Sequence, residues 1–273
     1  MDLGQLTAQA KELRKDIVRM ITEAGSGHPG GSLSCTDILT ALYFGGVMNH
    51  NASDPKMDGR DWFFLCKGHA APALYATLAH AGYFPVEELM TLRKLGTRLQ
   101  GHPDCNLVPG VEVSTGSLGQ GLSIAAGTCA GLYLNNKPGT VFALLGDGEC
   151  EEGQVWEAAM FAAHNSLDNL VAIVDHNHLQ IDGNIADVCN PDDLGEKFQA
   201  FGWDVTRVDG HDMEALIETL TAARDNRDGM PHVIIAETVK GKGVSFMENQ
   251  AGWHGKAPNP EQLEQALADL DAE

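Results

Sequence analysis

The sequence is short of positive charge: 18 lysines and arginines stand against 38 aspartates and glutamates, a formal charge of −20 over 273 residues. So acidic a chain repels phosphate backbones and anionic lipid, which argues against nucleic-acid or membrane-surface binding as its main function. Long apolar runs are also missing. Charges recur from Met1 to Arg19 (Asp2, Lys11, Glu12, Arg14, Lys15, Asp16), so no signal-peptide core is expected, and no uninterrupted stretch reaches membrane-span length. The six cysteines (Cys35, Cys66, Cys105, Cys129, Cys150, Cys189) contain no Cys-x-x-Cys pair. That pattern suits reduced thiols in a reducing compartment better than a disulfide framework, and a cytoplasmic location is expected. Gly119-x-Gly121 lacks the third glycine of a dinucleotide fingerprint and no strand clearly precedes it, and no lysine follows Gly146-Asp147-Gly148 as it would in a P-loop. What is present is 43% hydrophobic content, enough core for one large α/β domain over residues 1–273.

The clearest chemistry lies in residues 141–183. Val141 to Leu145 is an apolar run that reads as a buried strand and stops at Gly146-Asp147-Gly148. Glycine there lets backbone N–H groups approach a ligand. After Gly153, Val155, Trp156, Ala159, Met160 and Ala163 recur at helical spacing, and Leu170 to Val174 forms a second apolar run ending in Asp175-His176-Asn177. This is a strand–helix–strand unit with oxygen ligands at both strand ends. Parallel α/β sheets place ligands at the carboxyl ends of their strands, so Asp147 and Asn177 are expected to meet although thirty residues separate them. Oxygen donors of this kind suit a hard divalent cation, which in turn bridges to a diphosphate. Without a P-loop lysine, the metal is expected to carry more of the phosphate charge.

The rest of the chain continues the α/β alternation with no linker or internal repeat. Helices are expected over Leu3–Ala24, from a cap at Ser34 or Thr36 to about Phe44, after Ala70 through Ala81, over Pro85–Leu95, Leu122–Leu134, Asp192–Phe201, Met213–Ala223 and Pro260–Glu273. Strands are expected at Trp62–Leu65, Trp203–Val208 and Val233–Ala236, and residues 49–60 read as a polar surface loop. Loops carry Gly-His motifs at Gly27-His28-Pro29-Gly30-Gly31, Gly68-His69 and Gly101-His102-Pro103, and Trp253-His254-Gly255 follows a glycine- and lysine-rich stretch. A histidine between glycine and proline sits in a loop open to close approach rather than on a packed helix face. Gly116-Ser117-Leu118-Gly119-Gln120-Gly121 opens the small-residue helix from Leu122, where free N–H groups and the helix dipole would favour an anion. The small residues of that helix suit close packing, either within the chain or at an interface between subunits.

Gly-Asp-Gly followed thirty residues later by asparagine matches the thiamine diphosphate motif. GDGECEEGQVWEA with NLVAIVDHNHLQIDG, together with SGHPGG and QGHP, resembles transketolase. The resemblance covers nearly the whole chain but only the first part of that family. It implies a parallel sheet flanked by helices, the pyrophosphate-binding α/β fold of thiamine diphosphate enzymes. It also implies that Asp147, Asn177 and the Leu179 carbonyl hold Mg²⁺, with Ca²⁺ or Mn²⁺ as alternatives. Gly148 and the loop Gly116, Ser117, Leu118 would contact the cofactor diphosphate. His69 and His254 would line the cofactor, and His28, His102 and His254 would act on the sugar. Glu152 matches the glutamate just before the glycine of GDGxxxEG and would join a carboxylate network reaching into a partner.

By the same resemblance, the chain is the N-terminal subunit of a split transketolase. A partner chain would carry the pyrimidine-binding domain with its activating glutamate, the C-terminal domain and the arginines for sugar phosphates, in an α2β2 assembly acting on ketose and aldose phosphates. A deoxyxylulose-phosphate-synthase-like enzyme and the alpha chain of a 2-oxo acid dehydrogenase share the motif but not these Gly-His loops. A non-catalytic scaffold would have no need of the metal–diphosphate residues.

Overall fold

Strands β1 (Trp62–Leu65), β2 (Val141–Gly146), β3 (Leu170–His176), β6 (Asp204–Asp209) and β7 (His232–Glu237) form one parallel sheet in the order β1-β2-β3-β7-β6. The computed structural model describes residues 1–272. A short antiparallel pair, β4 (Leu179–Gln180) and β5 (Gly183–Asn184), follows the end of β3. The central strands β2 and β3 are buried on both faces, as their unbroken apolar runs require.

Alternation along each strand divides the core in two. Phe142, Leu144, Val171, Ile173, Ile234 and Ala236 face one cluster. Its helices are α1 (Leu3–Ala24), α3 (Thr36–Phe44), α4 (Ala71–His80), α9 (Met213–Asp225) and α10 (Pro260–Ala272), with the short α2 (Pro29–Ser34) leading into α3. Val141, Ala143, Leu145, Ala172, Val174 and Ile235 face the other, made by α5 (Gly121–Leu134), α6 (Gly153–His164) and α8 (Leu194–Ala200). A one-turn helix α7 (Ile185–Val188) follows β5. Helices on both faces force all the strands to run the same way, so Lys67, Asp147, Asn177 and Thr238 leave the sheet on one edge.

Local signals account for most boundaries. Asp2 and Gln5 form a reciprocal capping box at the start of α1, and Gly25 ends it in the left-handed region. Several expectations change. The Pro29-Gly30-Gly31 segment is the first turn of a buried helix rather than a loop, with proline at its favoured first position and His28 just outside. Neither Ser34 nor Thr36 caps α3: Ser34 Oγ donates to Asp175 at 2.6 Å, and Thr36 Oγ1 donates back to the Ser32 carbonyl at 2.9 Å. The helix expected over Pro85–Leu95 is a 3-10 turn at Val86–Thr91. The β4–β5 pair and α7 carry too few residues to show periodicity, and the sequence does not announce them. In α5, Ala125 and Ala126 pack inward while a Cβ on Gly127 or Gly131 would meet open space, so internal packing explains only part of its small-residue content. The expected final residue of α10, Glu273, lies outside the described residues. All six cysteines are free, and no helix among the described residues is long and apolar enough to cross a membrane.

Candidate cofactor cleft

The sheet edge is organised by a carboxylate the sequence does not single out. Asp175, one residue before the end of β3, is fully buried and accepts from Lys67 Nζ, Thr238 Oγ1, Ser34 Oγ at 2.6 Å and Asn177 Nδ2 at 3.2 Å. Lys67 also donates to the Gly31 carbonyl at 2.9 Å. Burial opposes charge on both partners, but each outweighs it for the other. Asp175 is held below the usual carboxylate range and Lys67 above the usual lysine range, so the pair is ionised. This knot ties the ends of β1, β3 and β7 to α2.

In front of it lies a cleft of about 210 Å³, whose lining includes Asp147, Gly148, Asn177 and the Leu179 position. Asp147 accepts from the N–H groups of Gly148 at 2.8 Å and His178 at 2.5 Å. Asn177 Oδ1 accepts from the Leu179 N–H at 3.2 Å, while the Leu179 carbonyl accepts from Lys240 Nζ at 2.7 Å. Burial, and then the charge of Asp175, push the Asp147 carboxyl up to about 6. A buried carboxylate under that pressure is relieved by a cation, and the Leu179 carbonyl already holds one in the Lys240 ammonium. Asp147, Asn177 and Leu179 thus line one cleft, and a carboxylate, an amide oxygen and a carbonyl are donor types that fit a hard divalent ion.

Two lysines also line the cleft: Lys67 after β1, whose charge Asp175 takes up, and Lys240 beyond β7. The sequence signal was lysine just past each strand, in Lys67-Gly68-His69 and Val239-Lys240-Gly241, but their distance from Gly-Asp-Gly concealed it.

The Gly116–Gly121 loop behaves differently from a free helix-end anion site. Its Gly119 N–H donates to Glu149 Oε1 at 3.0 Å, and Gly146 N–H donates to Oε2 at 3.0 Å, so the loop is pinned by a carboxylate of the chain itself. Burial pushes Glu149 up to about 7. Leu118 lines the cleft, whereas Ser117 is exposed and Gly116 stands behind His102, whose ring a Cβ there would meet at 3.0 Å. Gly121 fits because a Cβ would lie 2.5 Å from Cys66 Sγ. Glu152 is exposed at the cleft edge.

Four histidines from four distant segments form one wall. His28 lies 5.3 Å from His69, 6.4 Å from His102 and 5.5 Å from His254 between ring centroids, and His69 lies 5.0 Å from His254. His69 and His254 line the cleft, and His254 Nδ1 stands 3.0 Å from Lys240 Nζ. Arg93, which the sequence does not flag, places Nη2 3.5 Å from His28 Nδ1 and 3.4 Å from the Gly101 carbonyl. Burial first, then neighbouring cations, keep these imidazoles neutral. Arg93 helps to lower His28 to about 4, and Lys240 helps to lower His254 to about 3. His69 and His102 are lowered by burial, aided by Lys67 and Arg93 respectively. Neutral imidazoles can accept or relay a proton at physiological pH.

Fold and cleft define an α/β protein that gathers oxygen donors, lysines and neutral histidines at one edge of a parallel sheet. Residues 6–271 match the family model described as transketolase, thiamine diphosphate binding domain. The 6-deoxy-6-sulfo-D-fructose transketolase subunit of Clostridium sp. (strain MSTE9) is 42% identical, over 98% of this chain and 97% of that one. An apulose-4-phosphate transketolase subunit of Phocaeicola vulgatus is also 42% identical, over 99% and 95%. Among solved structures, the transketolase of Campylobacter jejuni superposes with a TM-score of 0.92 at 32% identity, covering 99% of this chain but 43% of its own. The chain belongs to the transketolase family, as its thiamine diphosphate-binding domain.

Proposed function

We propose that the chain is the thiamine diphosphate-binding subunit of a two-chain transketolase, which moves a two-carbon ketol unit from a ketose donor to an aldose acceptor. The observation that carries this is the meeting, in one cleft, of Asp147, Asn177 and Leu179 with His69 and His254, behind which His28 and His102 complete a histidine wall. Bound there, thiamine diphosphate supplies an electron sink at its thiazolium ring. The chain's own residues do the rest. Asp147, Asn177 and the Leu179 carbonyl hold Mg²⁺. Lys240 balances diphosphate charge, and Gly148 leaves room for it. Neutral His28, His102 and His254 take and return protons on the sugar's hydroxyl and carbonyl oxygens, while His69, between Gly31 and His254, shapes the cofactor side of the wall.

Residues 1–273 are read as one domain, and a partner polypeptide is inferred to bring the pyrimidine-binding and C-terminal domains, in an α2β2 assembly. Glu152 is inferred to meet the partner's activating glutamate, a role its exposure at the cleft edge supports. The names of the two subunit relatives above share a ketose with an anionic tail, sulfonate or phosphate, which supports the same substrate class here. A cytoplasmic location and a place in carbohydrate metabolism of the pentose phosphate kind are part of the same proposal. The test is to purify the chain alone and with the product of the adjacent reading frame, then assay ketol transfer from ketose phosphates with thiamine diphosphate and Mg²⁺. Activity only in the mixture supports the split enzyme; full activity of the single chain removes the need for a partner.

A further inference from the structure

We propose that His176, His178 and Glu237 form a second divalent-cation site, for a transition ion of the zinc class, on the sheet edge next to the cofactor cleft. The topology brings the three together. His176 ends β3 and pairs in register with Glu237, the last residue of β7. His178 lies two residues further on, and its ring returns to the same carboxylate. His176 Nδ1 stands 2.9 Å from Glu237 Oε1, His178 Nε2 stands 3.0 Å from Oε2, and the two rings are 4.1 Å apart between centroids. One donor atom from each residue falls within 4.8 Å of the other two. Donors around a tetrahedral zinc-class ion stand roughly 3.3 Å apart, so small side-chain adjustments seat one.

His178 holds the left-handed conformation, φ 64°, which histidine adopts more readily than most residues with a Cβ, and its imidazole faces Glu237. His178 is half exposed and borders an open groove shared with Asp209 and His211, giving an entry path and room for water ligands. Arg207 also reaches Glu237, with Nη1 3.7 Å from Oε1, and it is exposed enough to swing aside.

Two imidazole nitrogens and one carboxylate favour Zn²⁺ over Mg²⁺, whereas the all-oxygen set of Asp147, Asn177 and Leu179 has the opposite preference. The two sites are joined by one hydrogen bond, because the His178 N–H donates to Asp147. An ion on His176 and His178 therefore braces the loop that presents Asn177.

The test is a Zn²⁺ titration of the full chain against a chromophoric chelator, with Mg²⁺ in large excess to fill the oxygen set. One tightly bound Zn²⁺ per chain is expected. Its affinity should fall by about tenfold or more in His178→Asn and in Glu237→Gln, and persist in Asp147→Ala. Asparagine keeps a residue suited to the left-handed backbone, and circular dichroism verifies folding of each variant. Absence of Zn²⁺ binding by the parent overturns the proposal, as does parental affinity in both His178→Asn and Glu237→Gln. Loss confined to Asp147→Ala would assign the ion to the oxygen set and overturn it equally, without touching the transketolase reading.

Discussion

The Lys240 ammonium holds the carbonyl oxygen of Leu179 at 2.7 Å and reaches His254 Nδ1 at 3.0 Å, so one side chain from beyond β7 links the expected metal ligand to the histidine wall. Burial brings its pKa down to about 8, leaving it largely charged at neutral pH. In the proposed holoenzyme, a divalent ion on the Leu179 carbonyl would free this ammonium for the diphosphate. Lys240→Met should therefore weaken thiamine diphosphate binding by about tenfold or more at saturating Mg²⁺, the scale of one charge-assisted hydrogen bond. Calorimetric titration of the chain with its partner measures this, and unchanged affinity would remove Lys240 from the diphosphate site.

Asp147→Ala should abolish Mg²⁺-dependent cofactor binding, since it removes the one buried carboxylate in the oxygen set. His28→Ala should instead lower turnover while largely sparing cofactor affinity, because His28 sits behind His69 and His254 rather than among the residues lining the cleft. Calorimetry and steady-state kinetics on the two variants separate these roles. Parental turnover in His28→Ala would return that ring to a packing role.

Breaking the Lys67–Asp175 pair from one side should be costly. Asp175→Asn leaves a buried ammonium without its counter-ion, and a loss of about 3–5 kcal/mol is expected in denaturant unfolding. The double variant Lys67→Met/Asp175→Leu should lose less than the two single changes added together, because it leaves no charge stranded.

The histidine wall also sets an acid sensitivity. His28 and His254 are neutral when folded, at about 4 and about 3, against an ordinary value of 6.5. Depressed histidine values give stability that is present above about pH 6.5 and lost as pH falls towards the folded values, because the unfolded chain binds the proton first. The melting temperature should drop between pH 6.5 and 4, and His28→Gln should flatten that drop. An identical slope in the variant would mean that other groups govern the acid transition.

Gly121→Ala tests the packing of the glycine loop. The added methyl would meet Cys66 Sγ, Cβ and Cα at 2.5, 2.6 and 2.8 Å, with backbone among them, so no side-chain rotation relieves it. A destabilisation of about 1–3 kcal/mol is expected by thermal unfolding. A neutral outcome would show that the start of α5 can shift away from β1.

Sequence alone determined the elements whose physics is local. The apolar runs at Val141 and Leu170 became central strands and the stripe of α1 became a core helix, because periodicity and burial follow from consecutive residues. Asp147 and Asn177 were legible as cleft residues because parallel strands put their carboxyl ends on one edge, and the Gly-His loops stood out by their unusual composition. Tertiary structure alone decided what those groups touch. It paired Lys67 with Asp175 across 108 residues, turned Arg93 onto His28 across 65, spent the Gly119 N–H on Glu149, and set Glu237 between His176 and His178. None of these pairs shares a local pattern. The Lys67–Asp175 and His176–Glu237 pairs depend on the order β1-β2-β3-β7-β6, and the others on how loops pack over the sheet edge, so none leaves a mark at any single position.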